Sequence, residues 1–341
     1  MNLRHFATTQ DWAVDELQEL IDHARSLRET PIVSLLTNRV IALVFFNPSL
    51  RTRASFEIGA FQLGAHAVIL EPGKGAWEMA FGEGDVMDGS AEEHIKEAAR
   101  VLSSYCDLIA VRAFPTFEDW TIDRQDRVLA GFVRHAAVPV VNMESIVHPC
   151  QELAHIMALQ DVFGSLQGQK HLLAWTYHPK PLNTAVANSA AMIATKFGME
   201  VTLLCPDERY LLDEMFLDIA RSNAAAAGGS FTISHDIEAA YTGADVVYAK
   251  SWGALPFYGR WADEKPIRDA YKHFIVDEEK MSLTNNAVFS HCLPARRNVK
   301  ATDAVMDSPR SLIIPEAENR LHVQKALMAA LLPAPAPAHA V

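Results

Sequence analysis

Cysteine is scarce in this 341-residue chain. The four present, Cys106, Cys150, Cys205 and Cys292, lie far apart and form no C-x-x-C pair. That pattern excludes a zinc ribbon or a dithiol redox site and fits a reducing cytoplasm. Glycine is also sparse, at 16 residues. No G-x-G-x-x-G follows an expected strand and no G-x-x-x-x-G-K occurs, so the dinucleotide fingerprint and the P-loop are both missing. Positive charge is in deficit: 30 basic residues stand against 42 acidic ones, a formal charge of -12, which opposes nonspecific binding to nucleic acid or anionic membrane. No uncharged apolar run approaches the ~18 residues of a membrane span, and the first nine residues have no apolar signal core. Any anionic ligand must therefore be met by cations gathered locally on a repulsive background.

What is present is a globular composition, 50% apolar and 21% charged. At roughly 100 to 200 residues per domain the length predicts two domains, each with its own core. Leu17, Leu20, Ile21, Ala24 and Leu27 follow helical spacing, and Val40 to Phe46 reads as a buried strand. A helix from about Arg51 to Leu63, a strand at Ala65 to Leu70, and a helix opening at Ser90 with Glu93 completing a capping box continue the alternation. Further strand-like runs fall at Asp107 to Val111, Val138 to Val141, Leu172 to Thr176, Val201 to Leu204, Phe231 to Ser234, Val246 to Ala249, Val288 to Ser290 and Leu312 to Ile314. Strand and helix alternating in this way predict α/β architecture with two doubly wound parallel sheets. About four strands precede Pro149 and about six follow it. The expected domains are 1–147 and 148–317, with a closing helix at 318–332 that packs back on the first, and a mobile Pro/Ala tail at 333–341.

Three segments carry candidate chemistry. Asn47-Pro48-Ser49-Leu50-Arg51-Thr52-Arg53 sits where a strand feeds a helix. Free backbone N–H groups, the positive end of the dipole and an arginine fork there suit a phosphate, although an ordinary helix start reads the same. His148-Pro149-Cys150-Gln151 is at a second strand-to-helix joint, where His and Gln can serve a carbonyl and an amide, or cap the helix. His291-Cys292-Leu293-Pro294 offers either a nucleophile and its base or a packed thiol. Arg112 and Arg320, taken alone, read as ion-pair residues.

Together, S-x-R-T-R, H-P-C-Q, H-C-L-P and the closing A-E-N-R-x-H-x-Q-K resemble the aspartate/ornithine carbamoyltransferase superfamily over nearly the whole chain. The resemblance implies carbamoyl phosphate bound between two α/β domains, a trimer whose neighbour completes each site, and no metal or organic cofactor. It assigns carbamoyl phosphate to Ser49, Leu50, Arg51, Thr52, Arg112, His148, Pro149, Cys150, Gln151, Cys292, Leu293 and Arg320, and to Trp77 reaching a neighbouring subunit. Arg112, His148, Gln151 and Cys292 are the residues it ties to catalysis. The amino-acid loop departs from the ornithine enzymes: Ala249-Lys250-Ser251-Trp252-Gly253 replaces an aspartate and S-M-G. A free α-ammonium wants a carboxylate, whereas an acylated nitrogen leaves the α-carboxylate seeking a cation, which Lys250 supplies. The resemblance is therefore to the acetylornithine-using branch, in arginine biosynthesis, with Glu144, Lys250 and Leu293 on the amino acid and Glu92 selecting acetyl over succinyl. Lys300 matches a lysine that is carboxylated in that branch, and His178-Pro179-Lys180-Pro181 matches a loop through which such chains are knotted. An ornithine or succinylornithine carbamoyltransferase and a noncatalytic carbamoyl-phosphate binder are the competing readings.

Overall fold

A computed structural model describes residues 3–332 of the chain. The expected mobile tail lies outside the described residues. Two compact units emerge: the chain up to Phe114, Gln125–Ser145 and from Asn319 onward form one, and Pro115–Arg124 with Ile146–Glu318 form the other.

The first unit is built on a parallel sheet of β1 (Val40–Phe45), β2 (His66–Leu70), β5 (Leu108–Arg112) and β6 (Val140–Glu144), in the order β2-β1-β5-β6. The short strands β3 (Met79–Ala80) and β4 (Glu93–His94) pair separately. Strands β1, β5 and β6 are almost wholly buried and apolar except for Arg112, Asn142 and Glu144, as expected where helices cover both faces. Ala42, Val44, Ile109, Val111 and Val140 pack with Ile95, Ala99, Leu129 and Phe132 from the covering helices. On the other side, Gly59 in helix Leu50–Gln62 permits close approach of the closing helix Ile313–Leu331, because a Cβ there would lie 3.2 Å from Lys325 Cγ. Lys325 is fully buried and donates to Leu27 O at 3.0 Å, Pro31 O at 2.8 Å and Gln62 Oε1 at 3.0 Å.

The second unit holds a five-stranded parallel sheet of β7 (Lys170–Trp175), β8 (Glu200–Leu204), β9 (Ser230–Ser234), β10 (Val246–Lys250) and β11 (Val288–Ser290), ordered β11-β10-β7-β8-β9. Its core gathers Leu173, Trp175, Leu203, Tyr210, Val247, Trp252 and Phe289. The segment Pro115–Arg124, flanked on both sides by first-unit chain, is tied here. Asp123 accepts from the Phe117 N–H at 2.9 Å and from Tyr258 OH at 2.7 Å, and Trp120 packs beside Met192 and Phe216.

Three expected elements differ. The helix after Ser90 starts at Ile95, not Ser90, because Glu93 and His94 pair with Met79 and Ala80 and His94 Nδ1 caps the helix by accepting from Lys96 N–H at 3.2 Å. Ser90 instead donates to Glu78 at 2.5 Å. The run Leu312 to Ile314 is not a strand. Only Ser311 bridges Phe289, and the closing helix opens at Ile313, five residues before the expected Glu318, leaving five strands after Pro149 instead of about six. Apolar periodicity could not separate a short buried strand from a buried helix start.

Candidate active site

In the first unit, the parallel register places the C-terminal ends of β1, β5 and β6 side by side: Phe45 pairs with Arg112, and Arg112 with Glu144. Ligands of open α/β sheets bind at this edge. Ser49 caps the helix that follows β1, its Oγ accepting from Thr52 N–H at 3.2 Å. Asn47 Oδ1 accepts from Phe114 N–H at 2.6 Å and so fixes the loop after β1 against the end of β5. Thr52 is fully buried, and its Oγ1 accepts from Arg320 Nη2 at 2.7 Å, with Arg112 Nη1 at 3.5 Å. Arg112 also pairs with Glu144, and its guanidinium lies 4.5 Å over the Phe114 ring. Arg112 and Arg320 thus converge on Thr52 beside the one acid Glu144, and Arg51 lies in the first turn of the same helix as Thr52. Leu50 is 80% exposed and Trp77 68% exposed, both too open to be explained as core. Glu92 is exposed on the loop before β4, three residues short of the helix. Compensation of a helix dipole therefore does not account for it.

The second unit contributes its own set. His148 precedes helix Pro149–Phe163 and its N–H donates to Ser189 Oγ at 2.7 Å, while Pro149 occupies the first helical turn, where no N–H is needed. Cys150 and Gln151 are buried in that turn. Gln151 Nε2 donates to the fully buried Glu316. Lys250 ends β10, with Nζ 3.5 Å from Cys292 Sγ. Leu293 adopts a left-handed φ of 54°, which turns its N–H back onto His291 Nδ1 at 2.8 Å.

That last bond has an electrostatic consequence. With Nδ1 accepting, the neutral His291 ring carries its proton on Nε2, which faces Lys300 Nζ at 3.3 Å. An uncharged lysine can accept that proton's hydrogen bond; an ammonium cannot. Burial, together with the nearby Lys250, lowers the Lys300 amine to about 7. His178 is held neutral in the same way: Arg296 Nε donates to its Nε2 at 3.0 Å, and burial lowers it to about 4. No carboxylate pairs with Lys250, Arg296 or Lys300 among the described residues.

Sequence reasoning did not find Glu316, His155 or Arg296 as site residues. Glu316 directly precedes the A-E-N-R run, but a helix expected from Glu318 places it outside any element. His155 lies one helical turn after Gln151, a spacing that could have flagged it.

The chain belongs to the aspartate/ornithine carbamoyltransferase family. The family's carbamoyl-P binding domain matches residues 4–161 and its Asp/Orn binding domain residues 181–331. Within it, the chain is 65% identical over 334 residues to the N-acetylornithine carbamoyltransferase of Xanthomonas campestris pv. campestris, covering 97% of this chain and 98% of that one. It is 35% identical over 325 residues to the N-succinylornithine carbamoyltransferase of Bacteroides thetaiotaomicron, covering 93% and 95%. A crystal structure of acetylornithine transcarbamylase complexed with acetylcitrulline superposes with a TM-score of 0.96 at 65% identity, over 97% of this chain and 99% of that one.

Proposed function

We propose that the protein transfers the carbamoyl group of carbamoyl phosphate to the δ-amine of N2-acetyl-L-ornithine, giving N-acetyl-L-citrulline and phosphate. The observation that carries the choice of amino acid is Lys250 at the end of β10, near Cys292, with no paired carboxylate among the described residues. Lys250 there suits the α-carboxylate of an acylated amino acid and would repel a free α-ammonium. The 65% identity to an enzyme of that name supports the same reading.

Backbone N–H groups at Ser49 to Thr52, with Arg51 and Arg112, hold the phosphate. Thr52, Arg112 and His148 polarise the carbonyl. Gln151 and the backbone carbonyls of Cys292 and Leu293 take the amide hydrogens, with Arg320 beside Thr52. The δ-amine nitrogen bonds to the carbonyl carbon, the carbon–oxygen bond to phosphorus breaks, and the amine proton leaves with the phosphate. An alkylamine of pKa ~10.4 is almost wholly protonated at neutral pH, and supplying its neutral form costs roughly 4–5 kcal/mol, so exclusion of water is part of the catalysis. Glu144 and Leu293 contact the amino acid, and Glu92 repels the extra charge of a succinyl group.

Lys300 fits carboxylation. A neutral buried amine attacks carbon dioxide, forms a carbamate and loses one proton, placing an anion among Lys250, Arg296 and His178. Trp77, exposed on its loop, fits a role in a neighbouring subunit of a homotrimer, and the knotted course of the His178 loop belongs to the same reading.

The test is turnover with carbamoyl phosphate and, separately, acetylornithine, ornithine and succinylornithine. Product from acetylornithine alone is expected, and product from ornithine would overturn the assignment. Arg51→Ala should abolish carbamoyl phosphate binding by calorimetry with the fold intact.

A further inference from the structure

The carboxylate of Glu316 is completely buried and collects four donors from three elements: Gln151 Nε2 and His155 from helix Pro149–Phe163, Tyr248 OH at 3.2 Å from β10, and Ser290 Oγ from β11. His155 reaches it through Nδ1 at 2.9 Å, and its other nitrogen lies 3.0 Å from His171 Nε2. One proton arrangement satisfies the chain. An ionised Glu316 requires His155 to carry its proton on Nδ1, which leaves His155 Nε2 as an acceptor, which in turn requires His171 to donate from Nε2. His171 Nδ1 is then bare, and it is buried without a hydrogen-bond partner. Burial holds His171 neutral, well below the usual histidine range.

The polarity set by this chain ends on Gln151. A glutamine amide can turn over and exchange its oxygen and nitrogen at little cost unless its partners dictate otherwise. A carboxylate accepts only, so it fixes the Gln151 nitrogen inward and leaves Oε1 as the free end. That oxygen is buried and has no partner, so it is an acceptor with nothing to accept until a donor arrives. Of the groups on carbamoyl phosphate only the –NH2 donates.

We propose that Glu316, oriented by His155 and His171, is a positioning residue that locks the Gln151 amide with its oxygen outward and thereby selects an N–H-bearing acyl phosphate. The inference rests on the functional reading above. Acetyl phosphate separates the two, because it keeps the phosphate and carbonyl and replaces the –NH2 with a methyl group. The purified wild-type chain should bind carbamoyl phosphate at least 10-fold more tightly than acetyl phosphate in calorimetry. In Glu316→Gln the ratio should fall to within about 3-fold of unity, with affinity for acetyl phosphate and inorganic phosphate held within about 3-fold of wild type. His155→Asn keeps a donor toward Glu316 and should preserve the ratio, while His155→Leu should lower it. This pair decides the matter even if Glu316→Gln does not fold. A ratio unchanged in Glu316→Gln or in His155→Leu overturns the positioning role, as does equal loss of all three ligands, which marks a merely structural carboxylate. A wild type with no preference for carbamoyl phosphate overturns the functional reading itself.

Discussion

Two buried lysines, one in each unit, have opposite surroundings. Lys325 in the first unit has a carbonyl or amide oxygen for each of its three N–H bonds. Lys300 in the second unit has a histidine nitrogen at 3.3 Å, cationic neighbours, and an amine lowered to about 7. An ammonium whose donors are all used is a fastener between the closing helix and the chain it covers. A buried amine without acceptors is kept neutral and becomes nucleophilic. The same residue type is structural or chemical according to how many oxygens the fold arranges around it.

The comparison can be broken most forcefully at Lys325. Lys325→Met strands the carbonyls of Leu27 and Pro31 and the Gln62 amide, and should lower the urea unfolding free energy by on the order of 3–5 kcal/mol. Lys300→Met should cost no stability at pH 7 and should remove most carbamoyltransferase activity. It also tests the sign of the pH dependence. The folded amine titrates near 7 and the unfolded one at about 10.4, so the unfolded chain binds more protons between those values and stability rises with pH across that window. In buffer free of carbon dioxide, wild type should gain on the order of 2 kcal/mol over Lys300→Met from pH 7 to 9; parallel curves would show the amine to be charged in the fold. Gln62→Leu removes one of Lys325's three acceptors and should cost about 1 kcal/mol in the same unfolding assay. Glu92→Ala, on an exposed loop, should change stability by less than about 0.5 kcal/mol while admitting succinylornithine. A variant still confined to acetylornithine would show that another residue selects the acyl group.

Most of the sheet architecture was readable in the chain, because buried parallel strands are continuous apolar runs and their flanking helices keep a distinct period. The residues at strand ends were readable for the same reason: Arg51, Arg112, Glu144, His148 and Lys250 all follow or close such a run. What could not be read was cooperation across elements. Nothing in the spacing of Gln151, His155, Tyr248 and Ser290 announces that three segments meet at the Glu316 carboxylate, with His171 joined through His155. The false capping box at Ser90 and Glu93 failed because a local pattern lost to pairing with β3, a non-local partner. The exchange of Pro115–Arg124 into the second unit depends on Asp123 and Tyr258, 135 residues apart in the chain.

The division of the chain also has a consequence for its birth on the ribosome. Four crossings separate the units, and Leu321, Lys325 and Met328 of the closing helix lie nearest to the surface of helix Leu50–Gln62 at Gly59. At about 5–20 residues per second, the first unit is synthesised early, yet waits tens of seconds for its last piece. During that interval Leu27, Pro31 and Gln62 present their oxygens to water and the Gly59 face is bare. The second unit, by contrast, can close soon after Glu318 emerges. Translation order therefore makes the unit that begins the chain the last to be finished.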